Sequence, residues 1–437
     1  MNRTLTHLIL AATMAYAAPA SAAPFCADLG IQDQLPKKYQ KRGPFYSDVS
    51  TGWIIGHDQL KDKYAVTDET TAMWQNIKAE FDKHGVELVV MAAPPRPLFA
   101  SDEAIDAMGL PNDVDLSEIK TGFSAYIAAL NSAGITAPDL SVIADSPTAE
   151  EFYFARDTHW TPTGAALSAA HLNAAMRNGS VQDSVARINA TATYEEKGSL
   201  AGVVKEVCGT RPTIETASAP QYAQEGSAQS LLGDAPVKDK IALVGTSFSD
   251  RYQRDAYQVA DALAFMMDAS VDNFSATGGG LVGSMEAFIR TGALKNGSYK
   301  TVVWETPYSA PLTYVDGLRQ ILGALQMTGE QAQVGTLEAN IGKDWVGLDH
   351  SFLVSDVRSL EIETGDINSG QLIVELVNVD GGKIRTKLVK TDRVSAELRS
   401  NKWTISLSGM PADQIARIKL RLPKESKQVV AKIHFFN

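Results

Sequence analysis

Between residues 68 and 305 the chain repeats one grammar, an amphipathic stretch at helical spacing followed by a short apolar run closed by turn residues. In residues 68–84, Met73, Ile77 and Phe81 recur at helical spacing, and Gly85 stands where a helix should stop. Residues 86–91 then read as a strand buried on both faces, running into Pro94-Pro95-Arg96. The same order predicts helices near 116–132, 254–269 and 284–295, and strands over 240–244, 270–274 and 301–305. Strands alternating with helices imply an α/β fold, a parallel sheet flanked by helices.

After about residue 345 the grammar changes. Short runs with partial alternation, at 352–354, 371–379, 383–389, 403–407, 415–422 and 429–436, are separated by turn residues such as Asp380-Gly381-Gly382 and Gly409-Met410-Pro411. Closely spaced strands without helices read as a C-terminal β-sandwich. Ala217 to Ser230 is polar and rich in Ala, Ser and Gln, and reads as a surface loop.

The first residues have the order of a secretory signal: Arg3, an apolar run over 8–18 and the small-residue site Ala20-Ser21-Ala22. That run is shorter than the roughly 18 apolar residues a membrane helix needs, and no later stretch reaches that length. The expected organisation is therefore a cleaved signal at 1–22, an α/β domain at 23–342 and a β-sandwich at 343–437, exported to the periplasm. Two cysteines, Cys26 and Cys208, in an exported chain read as one disulfide or as a buried free pair. A formal net charge of −11 argues against nucleic acid, whose binding rests on phosphate neutralisation. The charge is uneven: from Trp345 onward 14 Lys/Arg face 11 Asp/Glu, against 26 and 40 before it. A basic end on an acidic body suits an anionic partner docked at that end, and a plain solvated surface accounts for the same count.

Two segments carry chemistry. The strand at 240–244 runs into Gly245-Thr246-Ser247, which places a serine at the C-terminal edge of the sheet, where α/β folds hold their sites. Gly245 permits a sharp turn, and the amide after Ser247, that of Phe248, is a candidate oxyanion donor. In Asp157-Thr158-His159-Trp160, residues two apart in extended chain point the same way, so Asp157 and His159 converge. A carboxylate behind an imidazole orients the ring and stabilises the imidazolium formed when it takes a serine proton. Thr161 and Pro162 suit the cap and first turn of the Ala-rich helix at 162–177 that follows. The turn Thr277-Gly278-Gly279-Gly280 lacks the P-loop lysine and the dinucleotide spacing; it is expected to bring backbone donors, Gly279 among them, near Ser247. No metal-ligand spacing occurs, so neither a metal nor another cofactor is expected.

Taken together, Gly245-Thr246-Ser247 and Asp157-x-His159-Trp160 resemble the SGNH-hydrolase-type domain of bacterial alginate O-acetyltransferases, the two-domain AlgX type and its AlgJ relatives. The likeness extends to Gly52-Trp53-Ile54-Ile55-Gly56, Pro94-Pro95-Arg96, Gly278-Gly279-Gly280 and Trp304-Glu305-Thr306-Pro307-Tyr308. The resemblance implies Ser247 as nucleophile, His159 as base and Asp157 as its orienter, with Tyr308 and Arg96 on the acceptor or acetyl side. It also implies a Cys26–Cys208 disulfide and a C-terminal carbohydrate-binding module. In that module Trp345 and Trp403 offer faces to sugar rings, although core packing explains both, and Lys383, Arg385 and Lys387 offer charges to uronates. The implied partners are an anionic polysaccharide acceptor, acetylation proteins that supply the donor, and an export complex. The same triad can hydrolyse, so an acetylesterase is the first rival reading. A non-catalytic polysaccharide-binding scaffold is the second.

Overall fold

Thr67 opens the first long helix, α1 (Asp68–Lys83), because its hydroxyl accepts the Thr70 amide at 3.1 Å while Asp68 and Glu69 face the positive helix end. The helix buries Met73, Trp74, Ile77 and Phe81. It closes in a Schellman turn, with the Gly85 amide on Asp82 O, the Val86 amide on Phe81 O, and Gly85 at φ +67°. The computed structural model describes residues 23–222, 239–251, 254–329, 331–349, 357–365, 370–410 and 414–437. The expected leader at 1–22, the strand expected at 352–354 and most of the polar stretch at 217–230 lie outside them. Residues 217–219 belong to the strand Glu215–Ala219.

Strands β1 (Glu87–Ala92), β2 (Lys240–Val244), β3 (Ser270–Asn273) and β4 (Thr301–Thr306) form a parallel sheet in the order β1-β4-β2-β3. Alternation along the strands feeds two cores. Leu88, Val90, Ala242, Val244, Val302 and Trp304 face α1, α2 (Leu116–Ser132), α5 (Gly280–Arg290) and α6 (Val315–Gln326). Val89, Met91, Ile241, Leu243 and Val303 face α3 (Pro162–Arg177) and α4 (Val259–Met267). Burial on both faces is why β1, β2 and β4 read as apolar runs, whereas the edge strand β3 is partly exposed and carries Ser270, Asp272 and Asn273.

Two helices depart from their expected spans for local reasons. α4 starts at Val259 because the Asp255 carboxylate takes the Val259 and Ala260 amides, each at 2.7 Å, which makes the preceding residues a cap. α5 starts inside the glycine run and ends at Arg290, before Gly292 at φ +74°.

The C-terminal strands are β5 (Gln333–Ile341), β6 (Val346–Asp349), β7 (Ser359–Thr364), β8 (Gln371–Asn378), β9 (Lys383–Val389), β10 (Lys402–Ser406), β11 (Ile415–Arg421) and β12 (Val429–Phe436). They form two antiparallel sheets, β6-β11-β8-β9 and β10-β7-β12-β5, around a shared core that includes Leu360, Leu376, Trp403, Ile418 and Phe435. The first of these strands begins at Gln333, ten residues ahead of the expected start at 343. Only Leu337, Ala339 and Ile341 turn inward along it, too sparse a pattern to stand out among polar neighbours.

α6 joins the two units by covering one edge of each sandwich sheet. The Gln320 side chain donates to Val389 O at 2.8 Å and accepts the Val389 amide at 2.9 Å, while Arg319 donates to Ser406 O and Ser408 O at 3.2 and 3.1 Å. These side chains stand in for a missing neighbour strand on β9 and β10, and so protect edges that would otherwise pair with other chains. At the other end of the chain, the Cys26–Cys208 disulfide ties the N-terminal segment to the helix Ser199–Cys208. Among the described residues no helix is long and apolar enough to cross a membrane.

Candidate active site

Past β2 the chain turns within Thr246–Asp250, where the Ser249 and Asp250 amides both reach Thr246 O, at 3.1 and 3.0 Å. Ser247 is partly exposed in this turn, as Asp250 is, and is flanked by buried Thr246 and Phe248. The second segment is a small hairpin closed by the Tyr153–Trp160 bridge and the Thr161 amide on Phe152 O at 2.9 Å. Its tip is pinned from both sides: Glu215 accepts the Ala155 and Arg156 amides at 2.6 and 2.9 Å, and Arg96 donates to Phe154 O and Ala155 O. Trp160 Nε1 donates to Phe248 O at 3.0 Å and so locks the hairpin to the serine turn.

These constraints bring Ser247, His159 and Asp157 together. His159 Nε2 lies 2.8 Å from Ser247 Oγ, and its Nδ1 makes a short hydrogen bond to Asp157 Oδ1. Asp157 and His159 meet through an Asx turn, in which the same Oδ1 accepts the His159 amide at 2.9 Å, and not by strand alternation as expected. Both side chains are buried, the imidazole between Phe248, at 4.8 Å, and Tyr257, which stacks on it at 5.4 Å. Burial pushes the Asp157 carboxyl up, but the His159 ring, the Arg251 guanidinium and the Ser199 amide outweigh it and hold the group well below the usual carboxylate range. An ionised carboxylate, an imidazole and a hydroxyl in this order can pass a proton from Ser247 to His159 and turn the serine into a nucleophile.

The other expected residues fare differently. Arg96 is fully buried, with its guanidinium spent on Ile54 O, Phe154 O, Ala155 O and Gln59 Oε1, so it braces the hairpin and faces no acceptor. Tyr308 is buried too; its hydroxyl accepts from Gln59 Nε2 at 3.1 Å and its ring meets Phe248 edge-on at 6.0 Å. The Gly279 amide bonds Ala276 O at 2.9 Å, and the Phe248 amide has a long contact to Thr246 Oγ1 at 3.4 Å. Both amides are thus engaged within their own turns, because a chain reversing this tightly satisfies its donors locally. Among the described residues no cluster of three or more His, Cys, Asp or Glu could hold a metal.

In the sandwich, Trp403 is 1% exposed and belongs to the core, so it offers no face to a sugar. Strand parity puts it beside Ile405. Trp345 is half-buried beneath the guanidinium groups of Arg385 and Arg421, at 5.2 and 4.7 Å. Lys383, Arg385 and Lys387 are exposed along β9, with Arg385 paired to Glu375 at 2.6 Å. Sequence reading missed the matching column on β11, where Arg417, Lys419 and Arg421 align with Val377, Glu375 and Ile373 of β8.

It also missed Glu305, although the residue sits in the Trp304–Tyr308 motif. Its carboxylate, 0% exposed at the end of β4, accepts the Thr246 amide at 2.6 Å, the Thr246 hydroxyl at 3.0 Å and the Ser249 hydroxyl at 3.1 Å. Burial raises its pKa from 4.5 to about 7, against the lowering effect of those donors. A carboxyl that binds its proton more tightly when folded favours the folded chain below about pH 4.5, and that contribution is lost as pH rises through about 7, a span of roughly 3 kcal/mol. Denaturant unfolding at pH 5 and 7.5 should therefore show a smaller loss of stability with rising pH in Glu305→Gln than in the parent. Equal losses in the two proteins would refute the assignment.

Against known proteins, residues 50–308 match the family model described as SGNH hydrolase-like domain, acetyltransferase AlgX. The alginate biosynthesis protein AlgX of Pseudomonas syringae pv. tomato is 26% identical over 275 residues, 61% of this chain and 56% of that protein. The probable alginate O-acetylase AlgJ of Pseudomonas putida is 26% identical over 273 residues, 58% of this chain and 67% of that protein. The alignments to the AlgX proteins of P. syringae and P. putida span 56% and 64% of those proteins' lengths. The solved structure of Pseudomonas aeruginosa AlgX superposes with a TM-score of 0.70 at 20% identity, covering 94% of this chain and 99% of that one, a likeness of fold.

Proposed function

The chain belongs to the AlgX family of SGNH hydrolase-like acetyltransferase domains, and on that premise we propose that it moves acetyl groups onto hydroxyls of an anionic exopolysaccharide, alginate, through an acyl-serine at Ser247. The observation that carries this reading is the relay Ser247–His159–Asp157, with its acid and base buried and 2.8 Å between the serine oxygen and the imidazole. In the first half-reaction Ser247 Oγ bonds the acetyl carbonyl carbon of an ester donor while its proton passes to His159 Nε2. The donor oxygen then leaves with that proton, and acetyl-Ser247 remains. In the second half a sugar hydroxyl gives its proton to His159 and attacks the acyl carbon, and Ser247 departs reprotonated. Asp157 keeps the ring oriented and offsets its positive charge in both halves.

The α/β unit ahead of Gln333 would carry this chemistry, and the sandwich that begins there would hold the polymer, with Trp345, Lys383, Arg385 and Lys387 facing its uronates. Export by a cleaved signal at 1–22 would place the chain in the periplasm, where other acetylation proteins supply the donor and an export complex delivers the polymer. The test is a mixture of purified protein, a chromogenic acetate and an oligouronate. Acetylated oligouronate in the mass spectrum is the expected result. Free acetate alone would make the chain an esterase, and no turnover with oligouronate affinity retained in Ser247→Ala would make it a scaffold.

A further inference from the structure

Asp157 has four donors, and one of them is a buried guanidinium, that of Arg251. His159 supplies two, its amide and Nδ1, both to Oδ1. The other oxygen takes the Ser199 amide at 2.5 Å and Arg251 Nη2 at 3.2 Å. Arg251 stands four residues after Ser247 and is 8% exposed. The same Nη2 reaches Glu196 Oε1 at 3.5 Å, and Nη1 lies 3.4 Å from His159 Nδ1. Glu196 is in turn fixed by the Gly198 amide and the Tyr257 hydroxyl, each at 3.1 Å, and Tyr257 is the ring stacked on His159. The guanidinium thus closes a loop of contacts around the imidazole.

We propose that Arg251 is a positioning residue for the acetyl transfer, holding Asp157 behind His159 through a buried guanidinium bridge to Glu196. The proposal rests on the Ser247 reading above. Within this bonded set stand two carboxylates, one guanidinium and the imidazole. The set carries −1 while the ring is neutral and sums to zero when the ring holds the serine proton, so its charges balance at the step where positive charge develops. Without Arg251, Asp157 Oδ2 loses a donor and Glu196 becomes an uncompensated buried charge. The carboxylate can then rotate off Nδ1 and take the ring with it. Because Arg251 lies behind the ring, the loss falls on kcat and leaves KM in place.

The test compares kcat, KM and thermal melting on a chromogenic acetate for Arg251→Met, Arg251→Lys and the double variant Arg251→Met/Glu196→Gln, with Ser247→Ala as the control. Arg251→Met should lose about 10²-fold in kcat with KM within about threefold of the parent, and Arg251→Lys should recover part of the loss. Neutralising Glu196 in the double variant should restore the melting lost in Arg251→Met while kcat stays low, a split that a merely structural arginine would not produce. A folded double variant with parental kcat overturns the proposal, as does a loss confined to KM. Should Arg251→Met fail to fold, the double variant and Arg251→Lys decide by the same criteria. Turnover that survives in Ser247→Ala would overturn the triad reading itself, a failure told apart from that of Arg251 because it occurs in a protein whose arginine is intact.

Discussion

Replacing Ser247 with alanine is expected to cut acetyl-ester turnover by about 10⁴-fold or more, while the folded chain stays within about 2 kcal/mol of the parent. The two effects separate because the hydroxyl is bonded to one group that matters for the chemistry, His159 Nε2 at 2.8 Å, and lies at a partly exposed turn. Removing it leaves one imidazole nitrogen without its donor, a modest loss for stability. The proposed reaction loses more, since neither of its halves can proceed without an oxygen to carry the acetyl group. Parent protein mixed with donor should show an added acetyl mass on the peptide containing Ser247, and Ser247→Ala should show none. An adduct mapped to another residue, or turnover persisting in the variant, would remove Ser247 from the mechanism.

What could be read from the residues follows the range of the interactions. The strands β1, β2 and β4 were legible because burial on both faces leaves a local mark, a run of apolar residues between turns, and the sheet forms where those runs stand. Asp157 and His159 were legible for the same reason, being two positions apart, even though an Asx turn and not an extended chain unites them. Arg251 and Glu305 were not. Their partners in the site lie 55 to 94 residues away, so the sequence, which shows Glu305 only as part of a strand and its motif, marks the partners of neither. Arg96 misled for a related reason: a buried guanidinium serving backbone carbonyls looks, in sequence, the same as one waiting for an anion. The two tryptophans differ in a way the residues did record. Trp403 shares the parity of Ile405 and Leu407, which marks a core face, whereas Trp345 stands before a short strand with basic residues on its neighbours.

The buried Glu305 also sets the result expected for Gly245→Ala, a loss of about 10²-fold in kcat together with roughly 1–3 kcal/mol of stability. A Cβ at position 245 would overlap Glu305 Oε2 and lie 2.8 Å from Glu305 Cβ. The carboxylate cannot swing aside, because it is 0% exposed and its oxygens are held by the Thr246 amide at 2.6 Å and by the hydroxyls of Thr246 and Ser249. Backbone strain plays no part, since Gly245 is not among the positive-φ glycines. The extra methyl must therefore move the turn itself, and Ser247 lies two residues further along it. A shift of about 1 Å at a reacting oxygen is enough to cost two orders of magnitude, because attack depends on the angle and distance set by the turn. Denaturant melts and steady-state kinetics on the same preparation measure both effects. A variant with parental stability and parental kcat would mean that Glu305 yields to the methyl at no cost, and that it does not hold the nucleophile turn in place.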